Sequence, residues 1–154
     1  MDVERVSVYE YSCKIVRVVD GDTVDVDIDL GFGVWMHNER IRLHGIDTPE
    51  CRTRDLEEKK YGLLAKDQVK YFLPEGSIQT LVTVKDKAGK FGRILGKFKM
   101  EDRFYSTLAT TLNEWMIRHH HAAPYFGQSK DEIAKIHLTN RIIARDDRDD
   151  YNNR

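Results

Sequence analysis

Two cysteines, Cys13 and Cys51, are all that this 154-residue sequence contains, too few for the disulfide framework that staples small secreted domains. Both are expected to be free thiols in a reducing compartment. No stretch approaches the roughly 18 consecutive apolar residues that a membrane span requires. The opening residues, MDVERVSVYEYS, lack the basic-then-apolar order of a secretion leader. An intracellular, cytoplasmic or virus-encoded setting is therefore the expectation, with no membrane partner. Internal repeats and linker-like runs are also missing, and a chain of this length buries one continuous core without staples. One domain over residues 1–145 is expected, followed by a polar tail, 146–154, that frays.

Net charge is equally scarce: 25 basic and 26 acidic residues leave −1, an unpromising balance for a protein that must approach a polyanion. Its distribution alters that view. Residues 1–39 carry 3 basic and 9 acidic side chains, residues 40–99 carry 14 and 8, and residues 100–154 carry 8 and 9. Positive charge sits in the middle of the chain. A solvated charged surface produces the same asymmetry, so the charge map alone names no partner.

What the sequence does have is alternation. Residues 14–19, KIVRVV, read as a strand that stops at the turn Asp20-Gly21-Asp22. Val24, Val26, Ile28 and Leu30 then alternate with Asp25, Asp27 and Asp29, the period-two pattern of a strand with its acids in water. Gly31-Phe32-Gly33 breaks it, and residues 40–47 resume the extended pattern, which predicts a hairpin. Leu56, Leu63, Leu64, Val69 and Phe72 predict a helix between Asp55 and Phe72, weakened early by Gly62. Two further strands, 77–84 and 93–100, flank a polar connection, Asp86 to Lys90. A helix from about Ser106 to Arg118 carries Leu108, Leu112, Trp115 and Met116 as core contacts. A last helix opens at Ser129 with the capping pair Ser129 and Glu132 and carries Ile133, Ile136 and Ile143. Strands first and helices between or after them, without β-α-β alternation, predict an α+β fold: a small five-stranded barrel with about three helices.

If the first hairpin pairs symmetrically about Val34 and Trp35, Asp22 lies opposite Asp47, with Cα atoms about 5 Å apart. Parity puts both acids on the side of the apolar residues. Two sheltered carboxylates held together repel each other, and a hard cation with oxygen ligands relieves the conflict. The same two acids also read as ordinary strand-ending turn residues, and the geometry alone leaves both readings open. Glu50, just past Pro49, supplies a candidate general base, and Arg42 and Arg93 supply forks suited to phosphate oxygens. Each alone reads as a surface residue; together they point to phosphoryl transfer. His119 to His121 read as a cationic helix C-terminus rather than a metal site, and Trp35 and Trp115 as packing residues.

The stretches VVDGDTVDVDI at 18–28, RIRLHGIDTPE at 40–50, KKYG at 59–62, KFGRILG at 90–96 and LNEWMIR at 112–118 together resemble the staphylococcal-nuclease-like, or thermonuclease, family in order and spacing. The resemblance covers about residues 13–127. It implies a five-stranded OB-fold barrel and one Ca²⁺ ion held by Asp22, Asp47 and the backbone carbonyl of Thr48. It also implies Glu50 as general base, Arg42 and Arg93 on the phosphate, and Lys90, Phe91 and Tyr125 as substrate contacts. Phe91 stands where the family often has tyrosine. The implied activity is hydrolysis of DNA, and of RNA by the same chemistry, leaving 3′-phosphate ends. A monomer with no obligate protein partner is expected. The rival expectation is a catalytically inactive module of this fold that only binds nucleic acid or protein. It is disfavoured because every acid and arginine of the site is present.

Overall fold

The alternating valines and aspartates form β2 (Thr23–Asp29), as their period requires. The computed structural model describes residues 9–84, 93–101 and 109–152, with the backbone alone for 146–152. Flanking β2 on either side, and antiparallel to it, are β1 (Tyr9–Asp20) and β3 (Trp35–Leu43). β1 also pairs antiparallel with β5 (Ile78–Val84), β5 pairs antiparallel with β6 (Ile94–Phe98), and β6 runs parallel to β3. The result is a closed barrel in the order β1-β2-β3-β6-β5, the expected α+β, OB-type architecture with three helices around it. Ile15, Val24, Val26, Ile41, Leu43, Leu81 and Phe98 fill its interior, all fully buried. Each contributes on the order of 1.5–3 kcal/mol of transfer free energy. The connection 85–92 lies outside the described residues, and with it Lys90 and Phe91.

One aspartate of the alternation is not in water. Asp25 is 8% exposed, and its carboxylate accepts from Arg40 Nε at 2.9 Å and from Arg17 Nη2 at 3.2 Å. Those arginines are its cross-strand partners on β3 and β1. The strand is central, so both of its neighbours can reach across to the acid. The hydrogen bonds from Arg40 hold the Asp25 carboxyl below the usual carboxylate range.

α1 (Leu56–Phe72) starts where Asp55 caps it, accepting from the backbone N–H groups of Glu57 and Glu58 at 3.1 and 3.2 Å. Its buried face is Tyr61, Gly62, Ala65 and Val69. Leu56 and Leu63, expected on that face, fall off this stripe and are 79% and 42% exposed. Gly62 is a requirement rather than a weakness: a Cβ there would lie 2.5 Å from the carbonyl oxygen of Glu50.

α2 (Leu112–Arg118) begins later than the expected Ser106. Lys99 and Thr111 form a β-bridge, and the Thr111 hydroxyl then caps the helix by accepting from Glu114 N–H at 3.2 Å. Residues 102–108 lie outside the described part. Buried Asn113 ties α2 to the barrel, donating to the carbonyls of His44 and Gly96 and accepting from Phe98 N–H.

α3 (Lys130–Asn152) follows the Ser129 cap, whose hydroxyl accepts from Glu132 N–H at 3.2 Å. The polar run expected to fray keeps helical backbone as far as Asn152, because no glycine or proline interrupts it. Among the described residues no helix is long and apolar enough to cross a membrane.

Candidate functional site

One cleft of about 830 Å³ gathers most of the residues singled out from the sequence: Asp22, Arg42, Asp47, Thr48, Glu50, Arg93 and Tyr125 all line it. The β1–β2 turn supplies Asp22. Gly21 lets that turn sit against α1 and the following loop, since a Cβ there would stand 2.9 Å from both Ala65 Cβ and Thr48 Oγ1. The Asp22 carbonyl accepts from Leu43 N–H at 2.8 Å, which pins the turn to the end of β3.

The route by which Asp22 and Asp47 meet differs from the symmetric pairing. Thr23 faces Arg42 and Val24 faces Ile41, so the hairpin is centred two residues earlier than expected and Asp47 is not on β3 at all. The chain bends at Gly45, with φ +79°, and enters a short ladder in which β4 (Ile46–Asp47) pairs with β7 (Ala123–Pro124). That bend, not the hairpin register, swings Asp47 back toward Asp22. Arg42 measures the convergence: its Nη2 lies 3.5 Å from Asp22 Oδ2 and 3.6 Å from Asp47 Oδ1. Its Nη1 donates to the Leu43 carbonyl at 3.0 Å, so the backbone aims the guanidinium. Both acids are sheltered rather than facing the core, with side chains 15% and 29% exposed.

Each carboxylate has its own supports. Asp22 accepts from the Thr23 hydroxyl at 3.0 Å and from Thr48 N–H at 3.2 Å. Asp47 Oδ2 lies 2.8 Å from Nε2 of His137, a buried histidine on α3. Sequence reasoning missed His137. The available signal was a polar residue four positions after Ile133 on a helix whose inward stripe continues to Arg141. Asp20 and Glu58 also border the cleft unforeseen.

Glu50 stands at the cleft edge, with its backbone N–H directed to Glu58 Oε1 at 3.5 Å. Its carboxyl is held above the usual range, first by partial desolvation and then by Asp22, Asp20, Asp47 and Glu58. The cleft is thus acid-rich, and its donors are oxygens, the ligand class of a hard cation. Among the described residues no group of three or more His, Cys, Asp or Glu side chains is arranged to enclose an ion. A cation here would draw on the two aspartates and on backbone oxygen. Arg93 and Tyr125 are exposed on the cleft wall, and Tyr125 N–H donates to the Gly45 carbonyl at 2.8 Å. Cys51 is buried and free, as is Cys13.

His119 to His121 are not at this site, and burial disfavours the cationic form of two of them. His119 and His121 stack on Trp115 with centroids 4.2 and 5.7 Å away. Burial, reinforced by the neighbouring histidines, pushes His121 down to about 4 and lowers His119. They line a separate cavity of about 380 Å³ that shares His137 and Arg141 with the cleft.

Comparison with known proteins identifies the family. The model of the family described as staphylococcal nuclease homologue matches residues 40–150, so the Asp22 turn precedes the matched range. The chain is 33% identical over 86 residues to a thermonuclease of Staphylococcus hyicus, covering 56% of this chain and 47% of that protein. It is 30% identical over 95 residues to a thermonuclease of Staphylococcus intermedius, covering 62% and 52% respectively. An uncharacterized endonuclease of Escherichia coli is 28% identical over 123 residues, 80% of this chain and 67% of that one. The chain spans about half the length of the two thermonucleases. With a family match over well more than half of its residues, it belongs to the staphylococcal nuclease homologue family.

Proposed function

We propose that this chain is a Ca²⁺-dependent nuclease that hydrolyses phosphodiester bonds of DNA, and of RNA by the same chemistry, leaving 3′-phosphate ends. One observation carries the reading: Asp22, Arg42, Asp47, Glu50 and Arg93, scattered over 72 positions of sequence, line a single open cleft. Asp22 and Asp47 would hold the ion through carboxylates and Thr48 through its carbonyl. Bound there, Ca²⁺ supplies positive charge and Lewis acidity to the phosphate oxygens.

The chain's own groups do the rest. Glu50, at the cleft edge, accepts a proton from the attacking water. Arg42, already aimed by backbone carbonyls, and Arg93, which also lines the cleft, neutralise charge that grows on the phosphate in the transition state. Tyr125, with Lys90 and Phe91 on the connection outside the described residues, contacts the sugar and base. Because such contacts are to backbone and ring faces, sequence preference is weak.

The reading is tested with purified protein on single- and double-stranded DNA and on RNA, with Ca²⁺ or EGTA, for wild type and Glu50→Gln. Wild type should cleave only with Ca²⁺, and the variant should bind DNA with near-normal affinity but turn over poorly. Full cleavage under thorough chelation removes the ion from the scheme. Binding without cleavage by wild type in any divalent cation establishes the inactive module instead.

A further inference from the structure

Asp22 and Asp47 are supported in different ways. Asp22 is held by Thr23 and Thr48, residues of its own turn and of the adjoining loop. Asp47 occupies a two-residue strand just past a bend. Its Oδ1 has a contact with Arg42 at 3.6 Å, and its Oδ2 meets His137 Nε2 at 2.8 Å, from a helix 90 positions away in sequence. A carboxylate can only accept, so Nε2 carries the hydrogen, and the donor fixes the carboxylate about its last torsion.

Nothing in the packing of α3 calls for an imidazole there. The inward stripe begins with Ile133, and this histidine is the next buried residue on it. The ring instead contributes one hydrogen bond, to Asp47, while its Nδ1 is buried with no protein partner. Its side chain is 10% exposed, so the ring is caged as well as bonded.

We infer that His137 is the positioning residue for Asp47: by holding Oδ2, it turns Oδ1 toward Asp22 and so sets the cation affinity of the site. This rests on the Ca²⁺ reading above. The geometry has the form in which an outer partner orients a metal-binding group, and loss of such a partner typically weakens metal binding roughly 10–100-fold.

The test is calorimetric Ca²⁺ titration of the full chain free of nucleic acid, at neutral pH, with thermal melts in EGTA as the control for folding. Four proteins are compared: wild type, His137→Phe, His137→Gln and His137→Asn. Phe fills the volume without a donor, the Gln amide nitrogen reaches the place of Nε2, and the Asn amide stops short of it. His137→Phe and His137→Asn should bind Ca²⁺ roughly tenfold or more weakly, and His137→Gln should recover most of the affinity. A merely structural role predicts affinities that follow the melting temperatures instead.

Ca²⁺ binding by His137→Phe as tight as wild type, or tighter, overturns the inference and leaves the Ca²⁺ reading intact. If Phe does not fold, the Gln and Asn pair decides, and equal affinities overturn it. Wild type that binds no Ca²⁺ overturns both.

Discussion

Acidification from pH 7 to pH 5 should cost the fold about 1–2 kcal/mol through His121 alone. Desolvation, then the neighbouring His119 and His120, pushes the His121 ring down to about 4. In the unfolded chain an imidazole titrates near about 6.5. Between those values the unfolded state binds a proton that the folded state refuses, so stability falls as pH drops through this window. At pH 5 the unfolded imidazole is almost fully protonated and the folded one about a tenth, a difference of about 2 kcal/mol. At pH 7 the difference is near zero. The ring keeps part of its hydration, which brings the figure to about 1–2 kcal/mol. Urea denaturation of wild type and His121→Gln at both pH values isolates the effect, because the amide is neutral throughout. The variant should lose less stability on acidification by that amount. Equal losses in the two proteins would mean that His121 is protonated in the fold, restoring the cationic helix terminus expected from sequence.

Three other substitutions bear on the cleft. Arg42→Lys and Arg93→Lys each exchange a planar fork for a point charge, and single-turnover rates should fall roughly 10²-fold, as on loss of an oxyanion donor; wild-type rates would deny the transition-state role. Gly62→Ala should destabilise by about 1–3 kcal/mol through overpacking, because the new Cβ meets the Glu50 carbonyl oxygen at 2.5 Å. Cleavage should fall with it as the Pro49–Glu50 segment shifts. An exposed helical glycine would respond with a gain of about 0.5–1 kcal/mol, so the sign of the change in a thermal melt decides.

Local chemistry was legible in the sequence wherever a residue's role is set by its immediate neighbours. The alternation of β2, the Asp55 and Ser129 helix starts and the turn at Asp20 to Asp22 all appear where periodicity and capping put them. Long-range placement was not. The hairpin register slipped because Gly31-Phe32-Gly33 makes the turn itself, with all three residues at positive φ, whereas symmetry had centred it beyond them. Asp25 was misread for a related reason: Arg17 and Arg40 stand opposite it only in the particular registers that β1 and β3 adopt against β2, which no local pattern encodes. The histidine that meets Asp47 sits 90 positions away. Only the helix stripe it interrupts hinted at a purpose other than packing.

The charge of the cleft draws these observations together. Among the described residues, Asp20, Asp22, Asp47, Glu50, Asp55 and Glu58 line it, against Arg42, Arg93, Lys130 and Arg141. Two of these acids meet at Arg42, whose single guanidinium is divided between Asp22 and Asp47 at 3.5 and 3.6 Å. Desolvation and then this field raise the proton affinity of Glu50, and the field also opposes the approach of a phosphodiester. A basic middle third of the chain does not remove that opposition, because the basic residues are distributed over α1 and the β5–β6 region as well as the cleft. In the proposed reading, Asp22 and Asp47 would hold a divalent cation, whose charge would reverse the local sign. With their charge met by the ion, Asp22 and Asp47 would release Arg42, leaving its guanidinium to the substrate. Cation binding and substrate binding then form one coupled event. His137, which meets Asp47 Oδ2 at 2.8 Å, would then keep that ligand in place once Arg42 turned to the substrate.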